Sequence, residues 1–512
     1  MLTKLFSAAV IGIDATQVEI EIHTGGSGDP SIIVVGLPDA IVRESKDRVI
    51  AAISNSGYKW PRTRTTVNLA PADIKKQGPN FDLPIALGMI ALAELAVLPR
   101  LHRCYIAGEL ALTGEVRPIK GALPLTLEAR ARGKKAVLLP LANTREAAVV
   151  EGIEVYGIRT LREAYEFLSM KQELAAEKEN HTTLLEEQLS FEIDFSEVKG
   201  QHQVKRAVEV AVAGGHNILL IGPPGSGKSM LARRIPSIMP PLLLEEALET
   251  TKIHSVCGLL DLGRPMISQR PFRDPHHTIS DVGLLGGSAN ITPGEISIAH
   301  HGVLFLDELP EFQRSTLEVL RQPLEDGKVT ISRAAGTMTF PAMFMLVAAM
   351  NPCPCGYYGD LKRECRCTPP QRERYRQRIS GPLLDRIDLH VEAPAIEYKE
   401  LTDTKLGECS QEIRQRIINA RKIQRERYQE SSKTSCNARM NPRELRKYCK
   451  LTGEGDELLK KAINDLNFSA RAYDRILKVA RTIADLAKAE NIEKEYLLEA
   501  LSYRSLDRQL WR

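Results

Sequence analysis

Residues 217–235, NILLIGPPGSGKSMLARRI, restrict the fold more than any other stretch of the chain. The short apolar run ILLI suits a strand buried on both faces. Gly222, Gly225 and Gly227 follow, then Lys228-Ser229, then MLARRIP with apolar residues at helical spacing. Strand, glycine turn and helix in that order build a concave row of backbone N–H groups. The helix N-terminus adds partial positive charge, so the turn suits an anion. Every fixed position of G-x-x-x-x-G-K-[ST] is met, which is the phosphate cradle of nucleotide-binding sheets. Gly222, Pro223, Pro224, Gly225, Ser226, Gly227, Lys228 and Ser229 are therefore expected to hold ATP. Lys228 would reach the β- and γ-phosphates and Ser229 would hold Mg2+.

GVLFLDE, near 303, reads as a second buried strand, and MFMLVAAMN, near 344, as a third. Apolar strands alternating with helices predict a parallel α/β sheet. The second strand delivers Asp307 to the strand end where such sheets bind ligands. Asp307 is expected to hold Mg2+ and Glu308 to polarise the attacking water, since phosphoryl transfer asks mainly for positioning and charge neutralisation. Asn351 ends the third strand and either bonds the γ-phosphate or starts a turn before Pro352. Arg386, in GPLLDRID, is either a finger acting across a subunit boundary or a local partner of Asp385 or Asp388. Arg471, in FSARAYDR, either touches phosphate or sits on a solvated helix face.

A chain of 512 residues exceeds one core. Alternating runs such as VEIEIHT and SIIVVGL, with the apolar LPIALGMIALAELAVL, predict a mixed α/β domain over 1–168. The polar stretch 169–195 reads as a linker or exposed helix, 196–395 as the nucleotide-binding core, and 396–512 as a charged helical end. The net charge of +4 names no partner, so a nucleic-acid surface must be a local patch. The first twenty residues reach Asp14 too early for a signal peptide, and no apolar run suits a membrane helix, so a cytoplasmic protein without membrane contact is expected.

Of nine cysteines, four cluster as Cys353-Pro-Cys355 and Cys365-Arg-Cys367. Two close pairs of thiolates can surround a structural Zn2+ tetrahedrally; the alternative is four reduced cysteines in a surface loop. Residues 361–378 hold seven Lys/Arg against two Glu, with Tyr375 the one aromatic residue, so a DNA contact competes with a solvated insertion. His276–His277 and His300–His301 read as hydrogen-bonded histidines rather than a metal site. Arg421–Arg427, RKIQRER, reads as an exposed helix face.

GPPGSGKS, PHHTISDVGLLGG, TPGEISIAHHGVLFLDELPEF, ISRAAG, AAMNPCPCG and LLDRID together resemble the magnesium-chelatase-like AAA+ ATPases of the YifB/ComM type, over nearly the whole chain. The resemblance implies a central AAA+ domain, a helical lid, and a homo-oligomeric ring, a hexamer, with sites shared between neighbours. It implies Asn351 as a sensor, Arg386 as a trans-acting arginine and Arg471 as a second sensor. Pro275–Pro293 resembles the helix-2 insertion. EDGKVTISRAAGTMTFP resembles a channel hairpin turning at Ala334-Ala335-Gly336. Lys328 and Arg333 on it would track DNA phosphates, unless the hairpin is ordinary and its arginine merely solvated. The first domain resembles the Lon-protease-like (S5 domain 2-like) α+β fold, most clearly in GELALTGEVRPIKG. Asn80 stands near the protease's nucleophilic Ser and apolar Leu123 near its Lys, while Lys120 lies too early; without nucleophile and base no Ser–Lys chemistry is expected.

Two readings of the work follow. The first is an ATP-driven motor on single-stranded or branched DNA, a helicase promoting branch migration in recombination or natural transformation. The second is a chelatase-type or protein-remodelling motor acting on a partner protein.

Overall fold

The computed structural model describes residues 1–25, 30–179, 191–261, 264–287, 291–333, 336–360, 363–395, 407–429, 434–451, 453–466 and 469–504. Met1–Glu187 and Leu243–Ser268 form one compact unit; Gln188–Leu242 and Gln269–Arg512 form the other.

In the first unit, β1 (Leu2–Ile11) and β2 (Asp14–Thr24) pair antiparallel through a tight turn containing Gly12 at φ +66°. The further strands are β3 (Ile32–Val35), β4 (Thr65–Ala70), β5 (Cys104–Ile106), a small ribbon of β6 (Glu109–Leu110) and β7 (Val116–Arg117), β8 (Ala136–Pro140) and β9 (Glu154–Ile158). Seven of these make one mixed sheet in the order β3-β4-β2-β1-β5-β8-β9. The apolar stretch after Phe81 is a helix, Asp82–Ala93, buried at every position from Asp82 to Ala91, as a helix apolar all round requires. It stops short of the apolar run's end, where Leu95 adopts φ +52°. Part of the expected linker is tied down: Glu177 N–H donates to the Val155 carbonyl of β9, and Glu179 pairs with Arg145. Its remainder, 180–190, lies outside the described residues.

The expected span 196–395 is interrupted, because Leu243–Ser268 groups with the first unit. Its helix, Leu244–Cys257, packs on the helix Ala122–Ala131. One buried carboxylate, Glu146, fixes the junction by accepting from Ser255 Oγ, the Leu123 N–H and Asn143 Nδ2. Leu123 is thus fully buried and Asn80 gives its carbonyl to the Gly108 N–H.

The second unit holds β10 (Ile218–Ile221), β11 (Phe272–Arg273), β12 (Val303–Leu306), β13 (Lys328–Arg333), β14 (Gly336–Pro341), β15 (Met345–Met350) and β16 (Leu389–Glu392). β11-β12-β15-β10-β16 form an all-parallel sheet. β10, β12 and β15 are buried at every position, which explains their unbroken apolar sequences. Helices His202–Gly214, Ser410–Arg427 and Ala470–Leu486 share one hydrophobic cluster with this sheet.

The reading of Arg421–Arg427 as a solvated face holds for Lys422, Arg425 and Glu426, which are exposed, and not for Arg421, Gln424 and Arg427. Arg427 forms an ion pair with the fully buried Asp485, Gln424 donates to the Ala213 carbonyl, and Arg421 to that of Val212. The helix carries charge because it meets buried acceptors on neighbouring helices.

β13 and β14 pair from Lys328↔Pro341 to Arg333↔Gly336; Ala334 and Ala335 of the expected turn lie outside the described residues. Side chains alternate, so Lys328, Thr330 and Ser332 share one face and Val329, Ile331 and Arg333 the other. Lys328 and Arg333 are both exposed, yet on opposite faces and at opposite ends of the ribbon. Arg333 leans toward Gly287, so the described part of 275–293 lies against the hairpin; residues 288–290 of that segment are outside the description.

Candidate active site

The sheet order dictates the site. Ile221 is in register with Met350, so Gly222 and Asn351 leave neighbouring strands at the same edge. Leu306 pairs with Ala348, which brings Asp307 and Glu308 to that edge as well. Together these ends line a cleft of about 500 Å3 with Pro224, Gly225, Gly227, Lys228, Ser229, Asp307, Glu308 and Asn351 among its walls.

Gly222 is required sterically: a Cβ there would sit 2.0 Å from the Ala393 carbonyl oxygen. Gly225 and Gly227 take φ +78° and +80°, which side chains disfavour, and so turn the loop into the helix Lys228–Ile238. Lys228 Nζ lies 2.8 Å from the Gly222 carbonyl, 2.9 Å from that of Pro223 and 3.3 Å from Asn351 Oδ1. Burial lowers the Lys228 pKa, against the opposing pull of Asp307 and then Glu308. Ser229 Oγ donates to Asp307 Oδ2 at 2.5 Å. That hydroxyl and carboxylate are adjacent hard oxygens on the phosphate side, a donor pair that fits Mg2+ with waters completing its shell.

Glu308 sits at φ +51°, a left-handed conformation unusual for a non-glycine residue. Its N–H donates to Asp307 Oδ1 at 2.9 Å, and its exposed carboxylate faces His277 Nδ1 at 3.8 Å. Sequence reasoning did not single out His277 for this contact. It also missed Gln201, whose Nε2 donates to the carbonyls of Ser226 (2.5 Å) and Pro394 (3.2 Å) and so braces the loop from behind. His300 accepts from the Met343 N–H, an ordinary structural bond.

Two expected residues lie away from this cleft. Arg471 is exposed at the start of the helix Ala470–Leu486 and is not among the cleft's walls. Arg386 precedes β16, whose Leu389 is in register with Ile218 at the start of β10. The cradle follows Ile221 at the other end, so a four-residue strand, about 13 Å at 3.3 Å per residue, separates them. Arg386 is 5% exposed and pairs with Glu325, not with Asp385 or Asp388. Asp388 instead accepts from Arg475 and from the Asn217 N–H.

Directly after Asn351, the four clustered cysteines converge. Cys353 Sγ lies 3.3 Å from Cys355 Sγ and 3.7 Å from Cys365 Sγ, and Cys355 Sγ is 3.6 Å from Cys365 Sγ. Cys367 Sγ accepts from the Cys355 N–H at 3.4 Å. All four sulfurs fall within 4.8 Å of one another. A tetrahedron with Zn–S bonds of 2.3 Å has edges of about 3.8 Å, so the donor set fits a zinc ion. Disulfides at about 2.05 Å would be far shorter. Tyr375 is buried, with its hydroxyl at the Asn351 backbone, and so is no base-stacking platform. Arg372 and Arg376 stack on Tyr358.

Similarity to known proteins agrees with this layout. The family described as "Magnesium chelatase, subunit ChlI" matches residues 194–401, "Subunit ChlI of Mg-chelatase" residues 18–143, and "Magnesium chelatase, subunit ChlI C-terminal" residues 407–504. The chain is 43% identical to the protein YifB of Escherichia coli (strain K12) over 99% of its own length and 98% of the relative's. It is 42% identical to "Competence protein ComM" of Haemophilus influenzae over the same shares. A 181-residue stretch is 29% identical to Lon protease 2 of Bacillus subtilis, covering 32% of this chain and 31% of the protease. No helix among the described residues is long and apolar enough to cross a membrane. With a full-length match to YifB and ComM around one parallel-sheet nucleotide cleft, the chain belongs to the magnesium-chelatase-like AAA+ ATPases of the YifB/ComM family.

Proposed function

We propose that this protein is an ATP-driven hexameric ring motor acting on single-stranded or branched DNA, a cytoplasmic helicase of the branch-migration type. The observation that carries the reading is the separation of Arg386 from Lys228 by the length of β10. Arg386 lies just before β16, at the strand end away from its own cradle, a position that supports service to a neighbouring copy and hence a ring with shared sites.

In this reading the amides of Gly222–Ser229 and the Lys228 ammonium hold the phosphates of ATP. Ser229 and Asp307 hold Mg2+, which supplies charge neutralisation at the transferring group. Glu308 orients the attacking water and Asn351 reports the terminal phosphate. Arg386 completes the site in trans, and Arg471 acts from the lid. The exposed Lys328, on the hairpin face that carries the hydroxyl pairs Thr330–Thr339 and Ser332–Thr337, contacts the DNA backbone, and Arg333 reaches it from the opposite face at the other end of the ribbon. Zn2+ on Cys353, Cys355, Cys365 and Cys367 pins the basic loop. The first unit serves as a non-proteolytic scaffold or DNA contact.

The test is steady-state ATP turnover with and without single-stranded and forked DNA, beside displacement of a labelled strand and a Lys228→Ala control. Stimulation by DNA is expected. Absence of both stimulation and low-salt DNA binding would end the DNA reading. The match to the chelatase family favours the second reading, a motor on a partner protein; it requires turnover indifferent to DNA and co-purification of a large partner.

A further inference from the structure

At the edge of the sheet opposite the nucleotide cleft lies a polar cavity of about 420 Å3, lined by Glu318, Arg321, Gln322, Glu325, Thr330 and Arg386 among others. Arg386 is held on one side, its NH1 donating to the Pro382 carbonyl at 2.6 Å. Its NH2 lies 2.5 Å from Glu325 Oε1. Its Nε is buried and has no hydrogen-bond partner. The guanidinium is nearly enclosed, whereas the Glu325 side chain is 49% exposed. A buried cation with an unused N–H, facing a cavity and capped by one half-exposed acid, is an anion site with an exchangeable occupant.

We propose that Glu325 is the resting counter-ion of Arg386, displaced when the terminal phosphate of a nucleoside triphosphate bound to the adjoining copy reaches the same guanidinium. A terminal phosphate brings more charge and more acceptor oxygens than a carboxylate, so it wins the exchange, and it offers the Nε–H the acceptor that it lacks. The displaced residue is placed to pass the event on. Glu325 sits in the last turn of the helix Arg321–Asp326, which ends at Gly327 (φ +66°) and runs directly into β13. The Ala342 N–H donates to the Gly327 carbonyl at 2.8 Å and closes the base of the hairpin. Releasing Glu325 therefore frees the hairpin's root, so occupancy of one subunit's nucleotide site alters the hairpin of the next.

The inference rests on Arg386 acting in trans, so the experiment separates the two. Full-length Lys228→Ala and Arg386→Ala chains are each inactive in this scheme; mixed, they regain turnover at interfaces that join an intact Lys228 to an intact Arg386. No regain overturns the trans reading and the counter-ion with it. With regain seen, Glu325→Gln is expected to raise DNA-free turnover by about threefold, the size of a half-exposed ion pair, and to bring the DNA stimulation ratio close to one. Wild-type turnover and stimulation in Glu325→Gln overturn the counter-ion alone. A measurement on the unaltered chain guards against misfolding of that variant: amide exchange across residues 321–341 is expected to quicken on binding a non-hydrolysable ATP analogue, and not in Arg386→Ala. Equal exchange with and without the analogue in the unaltered chain overturns the proposal.

Discussion

The Asn217 side chain donates from Nδ2 to the Arg386 carbonyl at 3.0 Å. Its Oδ1 accepts the Leu346 N–H at 2.9 Å, and its own N–H bonds Asp388 Oδ2 at 3.0 Å. One residue at the head of β10 thus fixes the start of β15 and the segment bearing Arg386. Asn217→Ala leaves a buried amide without a partner, a loss of about 1–3 kcal/mol. Lower thermal stability with reduced turnover but little change in ATP affinity is expected. Unaltered melting and turnover would remove Asn217 from the network.

Glu308 and Lys228 line one cleft, the proposed mechanism gives them different tasks, and substitution separates them. Glu308→Gln keeps the side chain's shape and loses the charge proposed to polarise water. ATP binding is expected to persist while single-turnover hydrolysis falls by about 10²–10³-fold. Lys228→Ala is expected to weaken binding as well. Equal loss of binding in both, measured by fluorescent nucleotide titration, would mean that Glu308 supports the cradle and not the chemistry.

The cysteine cluster is expected to retain about one zinc ion per chain through purification under reducing conditions. Chelation should release four thiols to a thiol reagent and lower the melting temperature. Because Cys353 follows Asn351 by two residues, Cys353→Ser should also slow turnover. Metal-free protein with full activity would leave the cluster a set of reduced cysteines.

In the first unit, Asp82 is buried beneath Arg48, which reaches it at 3.0 Å. Burial raises its carboxyl to about 6 despite the opposing pull of Arg48. The folded value lies above the ordinary 3.8, so its contribution to stability is full below the unfolded value and is lost as pH rises through about 6. The chain should therefore lose about 1 kcal/mol from this group between about pH 5 and about pH 8. Asp82→Asn should flatten that part of the calorimetric pH profile. An unchanged profile would place the titrating group elsewhere.

Much of the second unit was legible because its elements are locally determined. ILLI, VLFL and MLVAAM are short apolar runs bounded by turn residues, the pattern of strands buried on both faces, and the glycine loop meets its motif at every fixed position. The roles of Asn217, Gln201 and Glu325 were not legible. Each is a lone polar residue whose meaning comes from a distant partner; Asn217 and Arg386 are 169 positions apart. Arg427 looked solvated for the same reason, since Asp485, which buries it, is 58 residues away. The resemblance to a channel hairpin put Lys328 and Arg333 on one DNA track, whereas strand alternation sends them to opposite faces.

The excursion Leu243–Ser268 has a practical outcome for anyone cutting this polypeptide into pieces. A fragment beginning near residue 196 would keep the helix Leu244–Cys257 but lose Glu146, Asn143 and Leu123, the shelf on which Ser255 rests. Ser255, now buried, would lose its carboxylate partner, and the face of the helix that packs on Ala122–Ala131 would be uncovered, making the shortened product a sticky one. Removing 243–268 together with the first domain, and bridging 242 to 269 with a short polar splice, is the cleaner excision.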